Sequence, residues 1–325
     1  MPRLVAVLAL VMLAVTGCYH YEFQGAMSAE VPTAGKEELA PFAYDKTAEV
    51  PTRFFGKTEK TKDYITREIK WRVRDFDETK EKHAKGYFYE PLDKTKTYPA
   101  LVILPPTGGP YKLVKEFAKY YAKRGFVVIG MRRREFFFRP DKPMSYTQKQ
   151  IQQAVIDARR AIDYMDELPY VDKDRVAVMG ISLGGIVGAL TMASDERVKA
   201  AGFIVSAAHL PDILASSGFR RVRNLRSGLA EQADIPRAQL VEYFRPQIKE
   251  VDPATYADRL DPSRIVMVNA AMDDIVVKDV VLKTHETYGK PELYFVFGGH
   301  YTTIGMSGGA NEKVYQHFRK VLALR

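Results

Sequence analysis

Arg175-Val176-Ala177-Val178-Met179-Gly180-Ile181-Ser182-Leu183-Gly184-Gly185 decides the reading of this chain. Val176 to Met179 form a short apolar run, as a strand buried on both faces should. Small residues continue from 183 to about 193 with the look of a helix. A serine caught between strand and helix sits on a tight, strained turn with its hydroxyl lifted above the sheet. Side chains at 180 and 184 would collide with neighbouring backbone, which accounts for the glycines. The next residue, Leu183, then offers its backbone N–H to an anion.

Further strands lie on either side of that turn. Ala100 to Leu104 is a wholly apolar run ending in the sharp loop Pro105-Pro106-Thr107-Gly108-Gly109-Pro110. Phe126 to Ile129, Ala200 to Val205, Ile265 to Asn269 and Leu293 to Phe297 read as further buried strands. Tyr64 to Val73 and His83 to Tyr89 carry β-formers and suggest a leading antiparallel pair. Helical patterns fall between the strands: Val114 to Lys123, residues 146–168 with Ile151, Val155, Ala158, Ile162 and Met165 on one stripe, and a last helix near 311–323. Strands alternating with helices predict an α/β fold, a mostly parallel central sheet with helices on both faces. Residues 207–260 break the rhythm with weak helical patterns. They predict a helical insertion over the C-terminal edge of the strands, where open α/β sheets bind ligands.

The pattern G-x-S-x-G does not select Ser182 unaided, because Gly305-Met306-Ser307-Gly308-Gly309 matches it too. That second copy follows no apolar strand and reads as a glycine-rich loop. A serine hydroxyl needs a base, and the base needs an orienting carboxylate. Of six histidines, His20 and His83 precede Ser182. His209 precedes the best acid, His285 sits in a helical pattern and His317 lies in the final helix. His300 stands just after the last strand, in the expected loop Gly298-Gly299-His300-Tyr301, and is the candidate base. Asp273 and Asp274 follow the Ile265–Asn269 strand and are both candidates for the acid.

Residues 84–325, taken together, resemble the α/β-hydrolase superfamily, especially the dienelactone-hydrolase-like and prolyl-oligopeptidase-like esterases. The resemblance implies acyl transfer to water through an acyl-serine, with no metal or cofactor. Ala270 to Val277 resembles the family turn in which an Asp precedes a short apolar pair, often Val-Pro. That spacing favours Asp273, with Val276-Val277 as the pair. Ala270 and Val277 replace the usual glycine and proline, so Asp274 stays open. In many relatives the loop after the Ala100–Leu104 strand begins His-Gly. Here it begins with two prolines, which have no N–H. The second oxyanion donor must therefore be Thr107, Gly108 or Gly109, and position favours Thr107 beside Leu183. The substrate is expected to be a small-molecule or polymer ester. An amidase or peptidase, a non-catalytic binding module of this fold, and a lipase with residues 207–260 as a lid are the alternatives.

Two arginine groups stand out, Arg132-Arg133-Arg134 and Arg220, Arg221, Arg223 and Arg226. They are either clamps for an acidic substrate or solvated faces. Phe136, Phe137 and Phe138 are candidates for an acyl pocket or for the core. The formal charge is +9, but no Lys/Arg-rich tail or recognition motif points to nucleic acid. With 325 residues the chain can bury a core without disulfides.

Its only cysteine is Cys18. It closes an apolar run, Leu4 to Val15, that follows Arg3 and is too short to span a bilayer, which takes roughly 20 residues. Val15-Thr16-Gly17-Cys18 resembles a bacterial lipobox, whose cysteine becomes the lipidated first residue. This predicts a signal peptide over 1–17, a lipid-anchored tether over 18–60 and a hydrolase domain over 61–325. The expected location is the cell envelope, at the outer membrane if the host is Gram-negative, since Tyr19 rather than Asp follows the cysteine. An ordinary signal or a short anchor helix, with an incidental cysteine, is the alternative.

Overall fold

The computed structural model describes residues 37–46, 52–73, 82–107, 111–132, 137–139, 141–305 and 307–324. The signal peptide, Cys18 and the tether up to residue 36 lie outside the described residues. So do Gly108, Gly109, Arg133, Arg134 and Phe136.

Among the described residues, the apolar runs become strands of one nine-stranded sheet. Three strands lead: β1 (Thr52–Lys60), β2 (Tyr64–Val73) and β3 (Lys82–Pro91). Then come β4 (Tyr98–Leu104), helix α1 (Tyr111–Ala122), β5 (Val127–Arg132), α2 (Met144–Asp166), β6 (Val171–Ile181) and α3 (Leu183–Ser194). After β7 (Val198–Ile204) the insertion supplies α4 (Leu210–Ser216), α5 (Arg220–Ala233) and α6 (Leu240–Ile248). The chain closes with β8 (Ile265–Ala270), α7 (Lys278–Thr287), β9 (Glu292–Val296), the short α8 (His300–Gly305) and α9 (Ser307–Val321). The spatial order is β1-β2-β3-β5-β4-β6-β7-β8-β9. The first three strands run antiparallel, β3 pairs antiparallel with β5, and the rest are parallel.

The pleat divides each strand between two cores. On β4, Leu101 and Ile103 join Phe117, Tyr121 and Phe318 from α1 and α9 on one face. Ala100, Val102 and Leu104 join Ile151, Val155, Ala158, Ile162 and Met165 of α2, with the insertion packed on the same side. Helix α3 is apolar all round and buried along its length from Leu183 to Ala193, as a helix enclosed on every side must be.

Three expectations need correction. The segment expected as tether is docked from residue 37 to 46 and forms β1. That strand pairs with β2 from Thr52↔Trp71 to Lys60↔Ile65. It is an edge strand with mostly exposed side chains, so it lacks the apolar alternation by which strands are recognised. A register shift between Phe55 and Glu59, around Gly56 at φ +72°, removes what alternation was left. Secondly, Ser307 opens helix α9 rather than lying in a loop. Thirdly, His300 is the first residue of the short helix α8, not a loop residue.

A buried ionic cluster holds the N-terminal segment. Arg159 of α2 is 1% exposed. It donates to the Phe42 carbonyl at 2.6 Å and meets Glu38 at 3.2 Å and Asp195 at 3.5 Å. Arg197 clasps Asp195 with two bonds and reaches Asp163 at 2.7 Å, while Tyr44 donates to Asp163 at 2.9 Å. Burial pushes the Asp195 carboxyl up, but Arg197, with Arg159 behind it, brings it below its ordinary value. A folded pKa below the unfolded one means that its stabilisation is complete above about pH 4 and is lost as the pH falls through the folded value. Replacing Arg159 with Met strips a buried carboxylate of one partner and leaves the Phe42 carbonyl unpaired. We expect a loss of about 3–5 kcal/mol, a Tm lower by about 6–15 °C, and early proteolysis near residues 37–46. A Tm within 2 °C or so of wild type would contradict it.

Candidate active site

Ser182, Asp273 and His300 all follow the C-terminal ends of parallel strands, after β6, β8 and β9. Ser182 holds φ 54°, ψ −122°, a conformation that L-residues avoid and that persists only where the surroundings enforce it. Here the enforcement is backbone. A Cβ on Gly180 would lie 2.1 Å from the Gly184 carbonyl oxygen, and one on Gly184 would lie 2.2 Å from the Leu104 carbonyl oxygen. The serine N–H donates to Ile204 O at 2.8 Å, and its carbonyl accepts from Gly185 N at 2.8 Å. Strand, turn and helix thus leave the side chain one direction, out over the sheet edge.

His300 Nε2 lies 3.0 Å from Ser182 Oγ, and its Nδ1 lies 2.7 Å from Asp273 Oδ2. An ionised carboxylate only accepts, so Nδ1–H donates to Asp273 and Nε2 carries the lone pair that faces the serine. The other carboxylate oxygen, Oδ1, accepts the N–H groups of Ile275 and Val276 at 2.8 and 2.9 Å. All three side chains are buried. Asp274 is placed elsewhere: its carbonyl accepts the N–H of Gly218 in the insertion at 2.7 Å. Between the two acid candidates, the one brought to His300 is Asp273.

A cavity of about 370 Å³ opens beside this relay. Thr107 and Leu183 line it together with Ser182 and His300. Leu183 is the first residue of α3, so its N–H has no acceptor within the helix. The insertion closes the far wall with Leu210, Ile213, Phe219, Arg221 and Val222. Phe137 and Phe138 both join the core, and Phe138 also belongs to the wall. Met272, Phe297 and Tyr301, close in the chain to Asp273 and His300, are 57%, 68% and 65% exposed, and Tyr301 also lines the cavity.

Sequence reasoning passed over Ser206. It is buried, follows β7, lines the cavity and packs where a Cβ on Gly185 would meet its Oγ at 2.3 Å. Its place at a strand's C-terminal end was the available signal, the same one that marks Ser182 and Asp273. Val276 was seen only as half of an apolar pair, and Ile275 not at all. They also form wall, on the turn that Asp273 organises.

Residues 71–209 match the family described as PETase, PET hydrolase-like. An uncharacterized protein of Escherichia coli (strain K12), YcjY, is 33% identical over 144 residues, 43% of this chain and 45% of that one. The match thus spans less than half the length of that relative. Among solved structures, acetyl xylan esterase 1 from Thermoanaerobacterium sp. JW/SL YS485 superimposes with a TM-score of 0.60 at 16% identity, covering 82% of this chain and 89% of its own. The α/β hydrolase GrgF from Penicillium sp. sh18 gives 0.55 at 17% identity over 79% and 99%. At such identities the likeness speaks to architecture, and the architecture is the α/β-hydrolase fold.

Proposed function

We propose that this chain is a serine hydrolase that cleaves carboxylic esters through an acyl-serine, held at the cell envelope by lipid on Cys18. The relay Asp273–His300–Ser182 carries this reading. As Oγ attacks the ester carbonyl carbon, His300 Nε2 takes its proton and Asp273 steadies the resulting imidazolium. The carbonyl oxygen becomes an oxyanion, met by the N–H groups of Leu183 and Thr107; losing one such donor typically costs about 3 kcal/mol of barrier. Collapse expels the alcohol, which leaves with the proton from His300. Water then gives a proton to His300 and attacks the acyl carbon, releasing the acid and returning Oγ–H.

The acetyl xylan esterase and the PET-hydrolase-like family favour an ester over an amide as the scissile bond. A module built only to bind has no use for a buried His–Asp pair aimed at a strained serine. A fluorophosphonate probe tests the reading: it should label wild type and leave Ser182→Ala unlabelled. An unlabelled wild type would remove the proposal.

The envelope location rests on Val15-Thr16-Gly17-Cys18. Among the described residues, no helix is long and apolar enough to cross a membrane. We expect labelled palmitate to enter the full chain in a bacterial host, and Cys18→Ala to abolish that labelling and release the protein from the membrane fraction. Unchanged fractionation of Cys18→Ala would reduce the N-terminus to an ordinary signal.

A further inference from the structure

Two serines stand at the ends of neighbouring strands. Ser182 follows β6 and Ser206 follows β7, and the two strands pair up to Ile181↔Ile204. Ser206 is 3% exposed and lines the cavity that holds Ser182 and His300. Its Oγ forms no hydrogen bond with any described residue. Ser217, also buried in that wall, differs: its Oγ accepts the N–H of Phe219 at 3.2 Å, within the insertion. A hydroxyl both donates and accepts, so Ser206 offers an uncommitted hydrogen-bonding group to whatever fills the cavity.

The local fold makes room for that hydroxyl. Val205, just before it, holds φ 46°, where a β-branched residue is an outlier and persists only if its surroundings enforce it. The Val268 carbonyl holds its N–H at 2.8 Å. On the other side, a Cβ on Gly185 would lie 2.3 Å from Ser206 Oγ and 2.4 Å from Ser206 Cβ. Gly185 N–H in turn donates to the Ser182 carbonyl at 2.8 Å. Ser206 Oγ therefore packs against the turn that carries the nucleophile, within reach of an oxygen a few bonds from the scissile carbonyl. Ile186, Leu210 and Ile213 of the same wall are apolar. A hydrocarbon that displaces water from such a hydroxyl leaves it unpaired, whereas an oxygen atom placed there keeps it satisfied.

Building on the serine-hydrolase reading, we infer that the substrate is an ester with a neutral oxygen group close to the scissile bond, and that Ser206 is the specificity-determining residue that hydrogen-bonds it. A hydroxyl, ether or carbonyl oxygen has the required chemistry, on either the acyl or the alcohol side. The apolar walls take the rest of the carbon skeleton.

Pairs of esters that differ by an oxygen for a carbon test this. On the acyl side, 4-nitrophenyl methoxyacetate is compared with 4-nitrophenyl butyrate, and 4-nitrophenyl 3-hydroxybutyrate with 4-nitrophenyl 3-methylbutyrate. On the alcohol side, 2-methoxyethyl butyrate is compared with butyl butyrate by acid release. The readout is the oxygenated-to-hydrocarbon ratio of kcat/KM, with intrinsic reactivity cancelled by referring wild type to Ser206→Ala. The wild-type ratio should exceed that of Ser206→Ala by about fivefold or more in at least one pair, the size of one net hydrogen bond. Within that pair, Ser206→Ala should slow the oxygenated ester and leave the hydrocarbon ester as fast or faster, because no stranded hydroxyl remains. Its Tm should stay within about 3 °C of wild type, since the hydroxyl holds no described part of the fold. Equal ratios in all three pairs, an equal slowing of both partners, or a larger fall in Tm overturns the inference. Calorimetry on Ser182→Ala, with and without Ser206→Ala, reads the contact without turnover. If wild type cleaves no ester yet Ser182→Ala prefers the oxygenated partner and the double variant does not, the hydrolase reading falls while the Ser206 contact stands. Equal binding of both partners by Ser182→Ala overturns the contact.

Discussion

Replacing Ser182 with Ala will lower kcat on a soluble short-chain ester by about 10⁴-fold or more, with little change in folding stability. The methyl group has no atom to form the acyl bond, and His300 Nε2 then faces no proton that it could usefully take. What should survive is stabilisation by the proposed Leu183 and Thr107 donors acting on attack by water. Asp273→Asn should cost about as much by a different route, because an amide N–H facing His300 Nδ1 favours the wrong imidazole tautomer. The relay acts as a unit, so the double variant should be hardly slower than either single one. Kinetics on purified variants, with fluorophosphonate titration of active sites, reads all three. Ser182→Ala retaining more than about 1% of wild-type kcat would exclude Ser182 as the nucleophile.

The second large effect separates the two G-x-S-x-G matches. Gly184→Ala places a Cβ 2.2 Å from the Leu104 carbonyl oxygen, 2.7 Å from its carbon and 2.9 Å from the Pro105 carbonyl oxygen. All three are backbone atoms, so no side chain can swing away. Either β4 or the turn at Ser182 must move, at a cost of about 3 kcal/mol or more. A displacement near 1 Å at the nucleophile costs about 10²-fold in rate. Gly308→Ala, in the other copy, puts its Cβ in open space, and it should change stability by no more than about 0.5 kcal/mol. Urea unfolding and kcat/KM on both variants give the comparison. Equal behaviour would mean that the packing around Ser182 does not dictate its glycines.

The parallel half of the sheet was legible because strands buried on both faces are continuous apolar runs, and β4 to β9 all carry them. The first residues of the domain were not. β1 exposes both faces, and Arg159, which anchors residues 37–46, looks like a solvated charge on α2 until its depth is known. At the site, the resemblance favoured Asp273 but left Asp274 open; the turn that Asp273 serves is local, with Oδ1 accepting N–H groups two and three residues ahead. Val277 replaces a family proline yet holds φ −62°, the angle that proline would impose, so the turn survives the exchange. The cavity wall was beyond reach. Leu210 and Phe219 line one cavity with Thr107 and Phe138 only through tertiary packing, and no local pattern records it.

Glu37 gives its carbonyl to Arg259, a little before β8 begins, and Phe42 gives its own to Arg159 beside Asp195, the residue that ends α3. Ser182 stands at the other end of that helix, whose twelve residues span about 18 Å. The leading segment and the cleft therefore occupy opposite poles. On the proposed lipid anchor at Cys18, the chain would enter the described fold at residue 37, on the side away from the mouth of the cleft.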